Sequence, residues 1–393
     1  MTITAGFENL KHDSDVKRLL KTCSYSQPDR VPSFEHYVMQ KSMLYILGEA
    51  RVKDVSESEE MMHLRYLYSD IESEAKFVDT YDGWAKTSGR WRDGLPGSSA
   101  ALPPKQNLEL LRKTAVDAGT PMITWLPQVR PLYDGSVQAY DQKGIIRDWG
   151  DLDKLRIPAG KVEKMMRLVD WYLDEFSGSG VGVGPLCRSC FCNTYETLGL
   201  ENFMLKLYDD MPLVEHIMDI FTEYALQITQ ALSSRNIDCF WLDDDIAMNS
   251  GFLVLPDLIH RLWVPRTEKM LEPLREKGIP IYMHCCANLE DLIPIIIDLG
   301  VQAIHPVQPN CNDIVALKEK HHGSMAFVGN LDLAGVLAFG TPAQVKEETK
   351  RLIKEFGKEG GLVVASSHSI IDAVPPENYI AMIEATQQYG TYH

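Results

Sequence analysis

The sequence predicts an α/β protein built as a single (β/α)8 TIM-type barrel with an irregular N-terminal extension. From residue 162 onward, short runs rich in valine, isoleucine and aromatic residues alternate with helical patterns. Each run is almost continuously apolar, which is typical of a parallel sheet covered by helices. No G-x-G-x-x-G follows any of these runs, and this counts against the main alternative, an open doubly wound sheet.

The predicted strands follow one another at regular intervals. They are "VGVGP" near Val181, "CFWLDD" near Cys239, "PIYMHCC" from Pro280, "AIHPVQ" near Ile304, "MAFVGN" near Met325 and "LVVASSHS" near Leu362. A Pro-bracketed strand at residues 31–35 and one further strand near residue 77 or 122 bring the number close to the eight of a barrel.

The chain before about residue 158 is predicted to be less regular. Helical patterns occupy residues 10–22, 41–47 and 59–69, and the Gly-punctuated "WAKTSGRWRDGLPG" indicates a hairpin. The aromatic-rich run 122–144 is predicted to form loops and short strands. Because no linker or low-complexity tract divides the chain, we expect residues 1–393 to form one domain, in which the insertions before residue 158 cover the substrate.

Composition excludes several classes of partner. The formal net charge is -16, whereas nucleic acids and anionic membranes attract clustered lysine and arginine. The N-terminus has no apolar core of signal-peptide length, and no segment approaches the roughly 18 apolar residues of a membrane span. We therefore expect a cytoplasmic protein. Its eight cysteines are then reduced, and serve as core residues, metal ligands or nucleophiles.

Reactive side chains concentrate where the predicted strands end. In a (β/α)8 barrel the chemistry takes place at the C-terminal ends of the strands. The polar and thiol side chains at these ends are Glu35, Asp243, Asp244, Asp245, His284, Cys285, Cys286, His305, Asn330, Asp332 and His368. Such a placement favours an enzyme over a structural protein.

The H-x-C sequence at the end of "PIYMHCC" indicates a metal site. Side chains alternate along a strand, so His284 and Cys286 share one face while Cys285 points to the other. Imidazole nitrogen and thiolate sulfur are preferred ligands of zinc, whose catalytic sites have three protein ligands and one open position. His368, at the end of a later strand, is the best-placed third ligand. Spacing alone leaves the alternative open: a hydrogen-bonded core histidine beside small buried cysteines.

A second thiol cluster, "CRSCFC", contains Cys187, Cys190 and Cys192. Its C-x-x-C spacing can hold zinc, but a structural zinc site normally has a matching pair downstream and none is evident. We therefore expect these cysteines to pack in a loop near the barrel mouth.

The acidic run in "WLDDDIA" ends another apolar strand. Three adjacent carboxylates repel one another unless water, a cation or a substrate donor relieves the charge. Alternation directs Asp244 away from Asp243 and Asp245. We predict that Asp244 or Asp245 is catalytic, and the alternative is a solvated turn that caps a helix.

Five segments together carry a resemblance to a known family. They are "QPDRVP", "DDIAMNSGFLVLP", "HCCANLEDLIPIIIDLGVQAIHPVQ", "GNLDLAGVLAFGTPAQV" and "SSHSIIDAVPPENYIAM". In order and spacing they resemble the uroporphyrinogen decarboxylase superfamily, most strongly from about residue 184 onward. The resemblance implies a (β/α)8 barrel with its active site in the C-terminal cleft. The superfamily contains porphyrinogen decarboxylases and corrinoid-dependent methyltransferases that bind zinc.

The sequence is more similar to the methyltransferase branch. Decarboxylases of the family have an arginine-rich segment after the first strand, whereas "SFEHYVMQKSML" at that place contains no arginine. The methyltransferases have an H-x-C motif, matched by His284 and Cys286, and a third ligand on the last barrel strand. In the thiol-methylating members this ligand is a cysteine, and the matching position here is His368.

The resemblance implies a specific reaction. We expect Zn²⁺ held by His284, Cys286 and His368 to polarise the oxygen of an aromatic methyl ether, whose methyl group passes to the Co(I) centre of a separate corrinoid protein. This chain shows no corrinoid (cobalamin)-binding domain, so a partner protein is expected, and a homodimer is left open. Glu35, His36 and Asn330 are expected to contact the substrate, and Asp244 or Asp245 to position it or to protonate the leaving oxygen.

Three alternative functions remain consistent with the sequence. One is a methyl-corrinoid:thiol methyltransferase of the coenzyme M type, and another is a metal-free decarboxylase-like enzyme. The third is a non-catalytic barrel that binds a corrinoid protein or a tetrapyrrole.

Overall fold

The computed structural model describes residues 15–35, 146–155, scattered positions between 162 and 178, and 182–392 except Asp372. His36, the helices predicted at 41–47 and 59–69, the predicted hairpin, the aromatic-rich run and the strand expected near residue 77 or 122 lie outside the described residues. The predicted single domain with substrate-covering insertions stays a prediction.

Six parallel strands form the main sheet of the described residues, in the order β1-β2-β5-β6-β7-β8. A short antiparallel hairpin, β3-β4, follows β2. The strands are β1 (Leu186–Arg188), β2 (Phe240–Asp243), β3 (Ala247–Met248), β4 (Gly251–Phe252), β5 (Ile281–His284), β6 (Val301–Val307), β7 (Ala326–Leu331) and β8 (Leu362–Ser366). Sequential strands are neighbours throughout the sheet, apart from the hairpin inserted after β2, as the alternation of strands and helices predicts.

The strand predicted at "VGVGP" starts later than expected. β1 begins at Leu186, after the glycines and Pro185. Glycine weakens a strand, and proline cannot donate to the ladder. The Pro185 carbonyl nevertheless accepts a hydrogen bond from the Trp241 backbone N–H (2.8 Å), so pairing with β2 is established immediately before β1.

Helices connect the strands and cover the outer face of the sheet. They are α1 (Val16–Cys23), α2 (Cys190–Leu198), α3 (Leu200–Asp209), α4 (Met211–Ser233), α5 (Val264–Glu276), α6 (Leu292–Asp298), α7 (Ile314–Lys320), α8 (Pro342–Phe356) and α9 (Pro376–Tyr389). The start of α8 illustrates how sequence defines a terminus: Thr341 and Gln344 form a reciprocal capping box, and Pro342 occupies the first turn. The opening helix, predicted at 10–22, is found at Val16–Cys23 within the described residues.

The sheet curves around an inner apolar cluster. This cluster takes alternate residues of the strands, and its members are Leu19, Cys23, Phe34, Leu186, Cys239, Trp241, Tyr282, Ala303, Ala326, Val328, Val363 and Ala365. Side chains from six strands pack on one another, as in a barrel interior. The predicted strand at 31–35 makes a parallel bridge from Ser33 to Val364, on the outer edge of β8. The predicted α/β fold of the barrel type is confirmed.

Strand register determines which residues reach the mouth of the barrel together. Arg188 pairs with Asp243, Asp243 with His284, and His284 with His305. Residues in register on parallel strands point to the same face, so these four side chains form one row directly above the inner apolar cluster. The row lies at the C-terminal ends of β1, β2 and β5, where barrel enzymes carry out their chemistry.

None of the described helices combines the length and apolarity needed to cross a bilayer. The cytoplasmic location stays a prediction.

Candidate metal centre

His284, Cys286 and His368, called the ligand cluster below, meet at the mouth of the barrel. One potential ligand atom from each residue lies within 4.8 Å of the other two. His284 is the last residue of β5, Cys286 follows two positions later, and His368 follows the end of β8. The structure thus brings together the three residues that the sequence predicts as metal ligands, although they come from distant parts of the chain.

The His284 ring is held at both nitrogens. Its Nε2 lies 3.2 Å from the Cys286 Sγ, and its Nδ1 lies 2.8 Å from the Nδ1 of His305. The side chain is buried, and burial lowers the pKa of His284; the charge of Asp243 opposes this shift and that of Arg188 adds to it. A neutral imidazole, the form that binds metals, is therefore favoured.

His368 reaches the ligand cluster from the end of β8. Its ring packs edge-on against that of His284, with centroids 5.7 Å apart, and its Nδ1 lies 3.0 Å from the Ser369 hydroxyl. Burial, reinforced by the neighbouring His284, lowers the pKa of His368 to about 4. At neutral pH both histidines of the ligand cluster are uncharged, so a cation placed between them meets no repulsion from the rings.

The two adjacent cysteines face in opposite directions, as alternation predicts. Cys286 is half-buried in the ligand cluster. Cys285 is completely buried in the apolar core between the sheet and the helices. The Cys285 backbone N–H donates to the His305 carbonyl (2.8 Å). Burial, followed by the negative charge of Asp245, raises the pKa of the Cys286 thiol well above its usual value, so in the metal-free protein this thiol keeps its proton at neutral pH.

Asp245 lies beside the ligand cluster. Its Oδ1 accepts a hydrogen bond from the Cys286 backbone N–H (2.7 Å), and its own N–H donates to the Cys192 Sγ (2.9 Å). Burial raises the pKa of Asp245, and the charge of Asp243 raises it further. The raised pKa favours the protonated form of this carboxyl beside the ligand cluster, and the predicted catalytic role of Asp245 stays a prediction.

Asp244 points away from the ligand cluster, as alternation also predicts. It is completely buried, and its carboxylate accepts hydrogen bonds from the Cys192 backbone N–H (2.7 Å), the Trp263 indole N–H (2.8 Å) and the Ser189 hydroxyl. Ser189 and Cys192 belong to the N-terminus of α2, where a carboxylate satisfies unpaired backbone donors. These contacts are those of a residue that holds the connection between β1 and α2 in place. The catalytic role of Asp244 stays a prediction.

We expect Asp244→Ala to lower the free energy of unfolding by about 3 kcal/mol, because it removes the acceptor of the buried Cys192 backbone N–H and Ser189 hydroxyl. Urea unfolding at neutral pH measures the change. Asp291→Ala is the matched control, since Asp291 is exposed near the same end of the barrel and makes no side-chain capping bond; a change of about 0.5 kcal/mol or less is expected there. Equal effects of the two substitutions would contradict this role for Asp244.

The thiols of "CRSCFC" lie near the mouth but not in a loop. Cys187 lies within β1, and Cys190 and Cys192 lie in the first turn of α2. The prediction of a loop was therefore wrong. The reason is long-range: the Asp244 carboxylate comes from the next strand and caps α2, so the helix starts two residues after β1 ends.

The two described residues predicted to contact substrate occupy different places. Asn330 is buried at the mouth and its amide donates to the Val307 carbonyl (2.8 Å). Glu35 accepts hydrogen bonds from the backbone N–H and the hydroxyl of Ser366 (both 2.7 Å), two residues before His368. Burial raises the pKa of Glu35 to about 8. Glu35 thus supports the strand end that carries His368, and both predicted substrate contacts stay predictions.

Arg188 and Glu196 are further charged groups near the mouth that the sequence did not indicate. The Arg188 guanidinium lies 2.8 Å from Glu196 and 3.3 Å from Asp243. Because Asp243 is in register with His284, this ion-pair network borders the ligand cluster. The position of Arg188 at a strand end was a usable signal, but its partners depend on the pairing of β1 with β2.

The donor set fits zinc. Two imidazole nitrogens and one thiolate sulfur are typical of catalytic zinc sites, in which the fourth position stays open for substrate. Ligand atoms around a tetrahedral zinc lie about 3.5 Å apart, so separations of at most 4.8 Å require only a small contraction. Buried surroundings and hydrogen bonds to the outer atoms of the ligands also agree with such a site.

A cavity of about 420 Å³ lies elsewhere, between α3 and the β3-β4 hairpin, and is lined by residues such as Met204, Tyr208, Phe252 and Leu255. It contains no member of the ligand cluster. We therefore assign the chemistry to the mouth of the barrel on the basis of its side chains rather than of cavity size.

A barrel-type sheet with a histidine-thiol cluster at its strand ends defines a barrel enzyme with a metal-competent site. The family model for uroporphyrinogen decarboxylase (URO-D) matches residues 141–389. The chain therefore belongs to the uroporphyrinogen decarboxylase family, and the predicted membership is confirmed.

Curated relatives include both activities found in this family. Methylcobamide:CoM methyltransferase MtbA of Methanosarcina mazei is 22% identical over 254 residues, which cover 63% of this chain and 70% of the relative. Uroporphyrinogen decarboxylase of Geotalea daltonii is 23% identical over 256 residues, covering 62% and 71%. A solved methyltransferase from Methanosarcina mazei has the same fold, with a TM-score of 0.63 at 17% identity over 96% of this chain and 99% of that one. Methyltransferases thus occur among both the curated relatives and the solved structures that resemble this chain, in agreement with the branch that its H-x-C motif predicts.

Proposed function

We propose that this protein is the zinc-dependent methyltransferase that removes a methyl group from a methyl ether and transfers it to the Co(I) centre of a partner corrinoid protein. The observation that carries the proposal is the ligand cluster at the C-terminal strand ends. The methylcobamide:CoM methyltransferase among the relatives supports the coarser statement, a corrinoid-dependent methyltransferase. The ether as methyl donor is inferred from the ligand set.

The identity of the third ligand distinguishes an ether from a thiol as substrate. A histidine in place of a second cysteine brings no negative charge, so more positive charge remains on the metal. Zinc held by His284, Cys286 and His368 would supply Lewis-acid polarisation of a substrate oxygen. A thiol substrate instead benefits from a thiolate-rich site, which keeps sulfur nucleophilic. The donor set of this chain therefore favours an oxygen-bound methyl group.

The side chains beside the ligand cluster provide the proton that the reaction requires. The two electrons of Co(I) form the Co–CH3 bond, the C–O bond breaks with its electron pair on oxygen, and that oxygen takes up a proton. We assign this proton donation to Asp245, because it lies beside the ligand cluster and because burial and Asp243 raise its pKa. Its hydrogen bond to the Cys286 backbone holds it against the ligand cluster.

Buried neighbours hold the remaining ligand side chains in place. Glu35 anchors Ser366, and the Ser366 hydroxyl accepts from the His368 backbone N–H (3.4 Å). We assign Glu35 a positioning role for the third ligand. Asn330 and His36 remain proposed substrate contacts, since Asn330 is at the mouth and His36 directly follows Glu35 in the chain.

A thiol acceptor is the second candidate function, and the relative that acts on CoM by name favours it. It shares the ligand cluster and the corrinoid partner, but the methyl group moves in the opposite direction, from methyl-Co(III) to sulfur. A decarboxylase without metal, which the other branch of relatives represents, would leave His284 and Cys286 without a role.

Metal analysis of the purified protein and a visible-spectrum assay test the proposal together. We expect about one zinc per chain, and conversion of Co(I) corrinoid protein to methyl-Co(III) in the presence of aromatic methyl ethers. Zinc binding with transfer only from methyl-Co(III) to a thiol would identify the second candidate function. A zinc-free protein that transfers no methyl group in either direction would contradict both.

A further inference from the structure

His305 lies directly behind the ligand cluster without belonging to it. We propose that His305 is a positioning residue, which accepts a hydrogen bond from His284 and thereby directs the other nitrogen of His284 toward the metal. This inference rests on the proposed metal site and adds to it a residue that the ligand motif does not contain.

The two nitrogens of His284 have separate neighbours. Nε2 faces the Cys286 Sγ at 3.2 Å, and Nδ1 faces the His305 Nδ1 at 2.8 Å. Since Nε2 points into the ligand cluster, it is the nitrogen available to a metal. A neutral imidazole carries its single proton on the other nitrogen when it binds a metal, and that N–H normally donates to a fixed acceptor.

The tautomers of the two histidines are therefore coupled. If His284 donates from Nδ1, the Nδ1 of His305 must accept, and His305 then carries its proton on Nε2. The reverse arrangement, with His305 donating, would place the His284 proton on Nε2, where it blocks the metal. Hydrogen bonding between two Nδ1 atoms allows only these two arrangements for neutral rings, and only the first permits metal binding.

The environment of His305 prevents the ring from turning away. The residue is completely buried, and its ring is perpendicular to those of Phe34 (centroids 5.6 Å apart) and Trp241 (6.2 Å). Its backbone is also tied to the ligand segment, because its carbonyl accepts from the Cys285 N–H (2.8 Å). A ring held by packing and by strand register offers His284 an acceptor at a constant position, which is how a neighbour of a metal ligand lowers the cost of ordering that ligand.

A purely structural role is the competing explanation, and two substitutions separate it from the proposal. His305→Phe keeps a ring between Phe34 and Trp241 but removes the acceptor nitrogen. His305→Asn loses the ring but keeps an acceptor oxygen close to the position of Nδ1. If the nitrogen matters, zinc affinity falls about 10- to 100-fold in His305→Phe and is better retained in His305→Asn. If only packing matters, His305→Asn is the more impaired of the two.

Chelator competition measures zinc affinity without reference to catalysis, and thermal unfolding of the metal-free variants measures the packing defect. The proposal predicts that His305→Phe unfolds near the temperature of the parent protein yet binds zinc more weakly. Parent-like zinc affinity in His305→Phe would overturn it. Failure of the parent protein itself to bind zinc would instead refute the proposed function, so the two failures are distinguishable.

Discussion

Replacement of Cys286 by alanine is expected to weaken zinc binding about a hundredfold and to abolish methyl transfer. Zinc sites have a total binding free energy of about 10–16 kcal/mol at pH 7, which amounts to roughly 3 kcal/mol for each ligand. Cys286 is also the sole anionic ligand of the proposed site, because both histidines are neutral at that pH. Its loss leaves only two neutral ligands to hold a divalent ion.

The neighbouring Cys285 provides the matched control. It is the same residue type, one position away, but it is completely buried in the apolar core and does not face the ligand cluster. We expect Cys285→Ala to cost about 1 kcal/mol of stability through lost packing and to keep parent-like zinc content. Zinc content by elemental analysis and methyl transfer to Co(I) corrinoid protein are compared in both variants. Equal zinc loss in the two would show that the metal is not bound where we place it.

The opposite behaviour expected of Cys285 and Cys286 could be derived from the sequence. Strand alternation assigns a face to each residue, and the position at the end of an apolar run assigns it to a strand terminus. The same two rules correctly separated Asp244 from Asp245. Local patterns therefore identified the strands β2 and β5 to β8, and also the side chains that reach the mouth.

The partners of these side chains could not be derived in the same way. The contact of His284 with His305 depends on the register between β5 and β6, and the contact of Arg188 with Asp243 depends on that between β1 and β2. Register arises from packing of the whole sheet, not from any one segment. His368 is predicted as the third ligand because it ends a later strand, and the family resemblance supports this choice, but no spacing rule links it to an H-x-C motif many residues away.

Glu35 illustrates how burial changes the interpretation of a strand-end residue. Its position predicts a substrate contact, which stays a prediction, while its buried carboxylate accepts two hydrogen bonds from Ser366. The inner face at this point is occupied by the adjacent Phe34, which packs on Trp241 with ring centroids 5.1 Å apart. Alternation then directs Glu35 to the outer face of the sheet. Ser366 of β8 lies on that face and is its hydrogen-bond partner.

The pH dependence of zinc binding follows from the charges of the same ligands. Burial keeps the pKa of the Cys286 thiol well above its usual value, so zinc must displace the thiol proton at every pH from 6 to 8. His368, whose pKa is about 4, is already unprotonated over that range, and burial lowers the pKa of His284, which favours its neutral form. One proton is therefore released for each zinc bound. Affinity rises about tenfold per pH unit, and is about a hundredfold weaker at pH 6 than at pH 8.

Chelator competition at pH 6, 7 and 8, at constant ionic strength, measures this slope, and calorimetric titration in buffers of different ionisation enthalpy counts the protons directly. Cys285→Ala should show the parent slope, since its thiol is not a ligand. A slope near zero would mean that the Cys286 thiolate exists before zinc arrives, and a slope near two would mean that a histidine also loses a proton. Only a slope near one agrees with a metal-free site of two neutral imidazoles and one protonated thiol. Burial favours the uncharged form of each ligand until the bound cation compensates the charge of the thiolate.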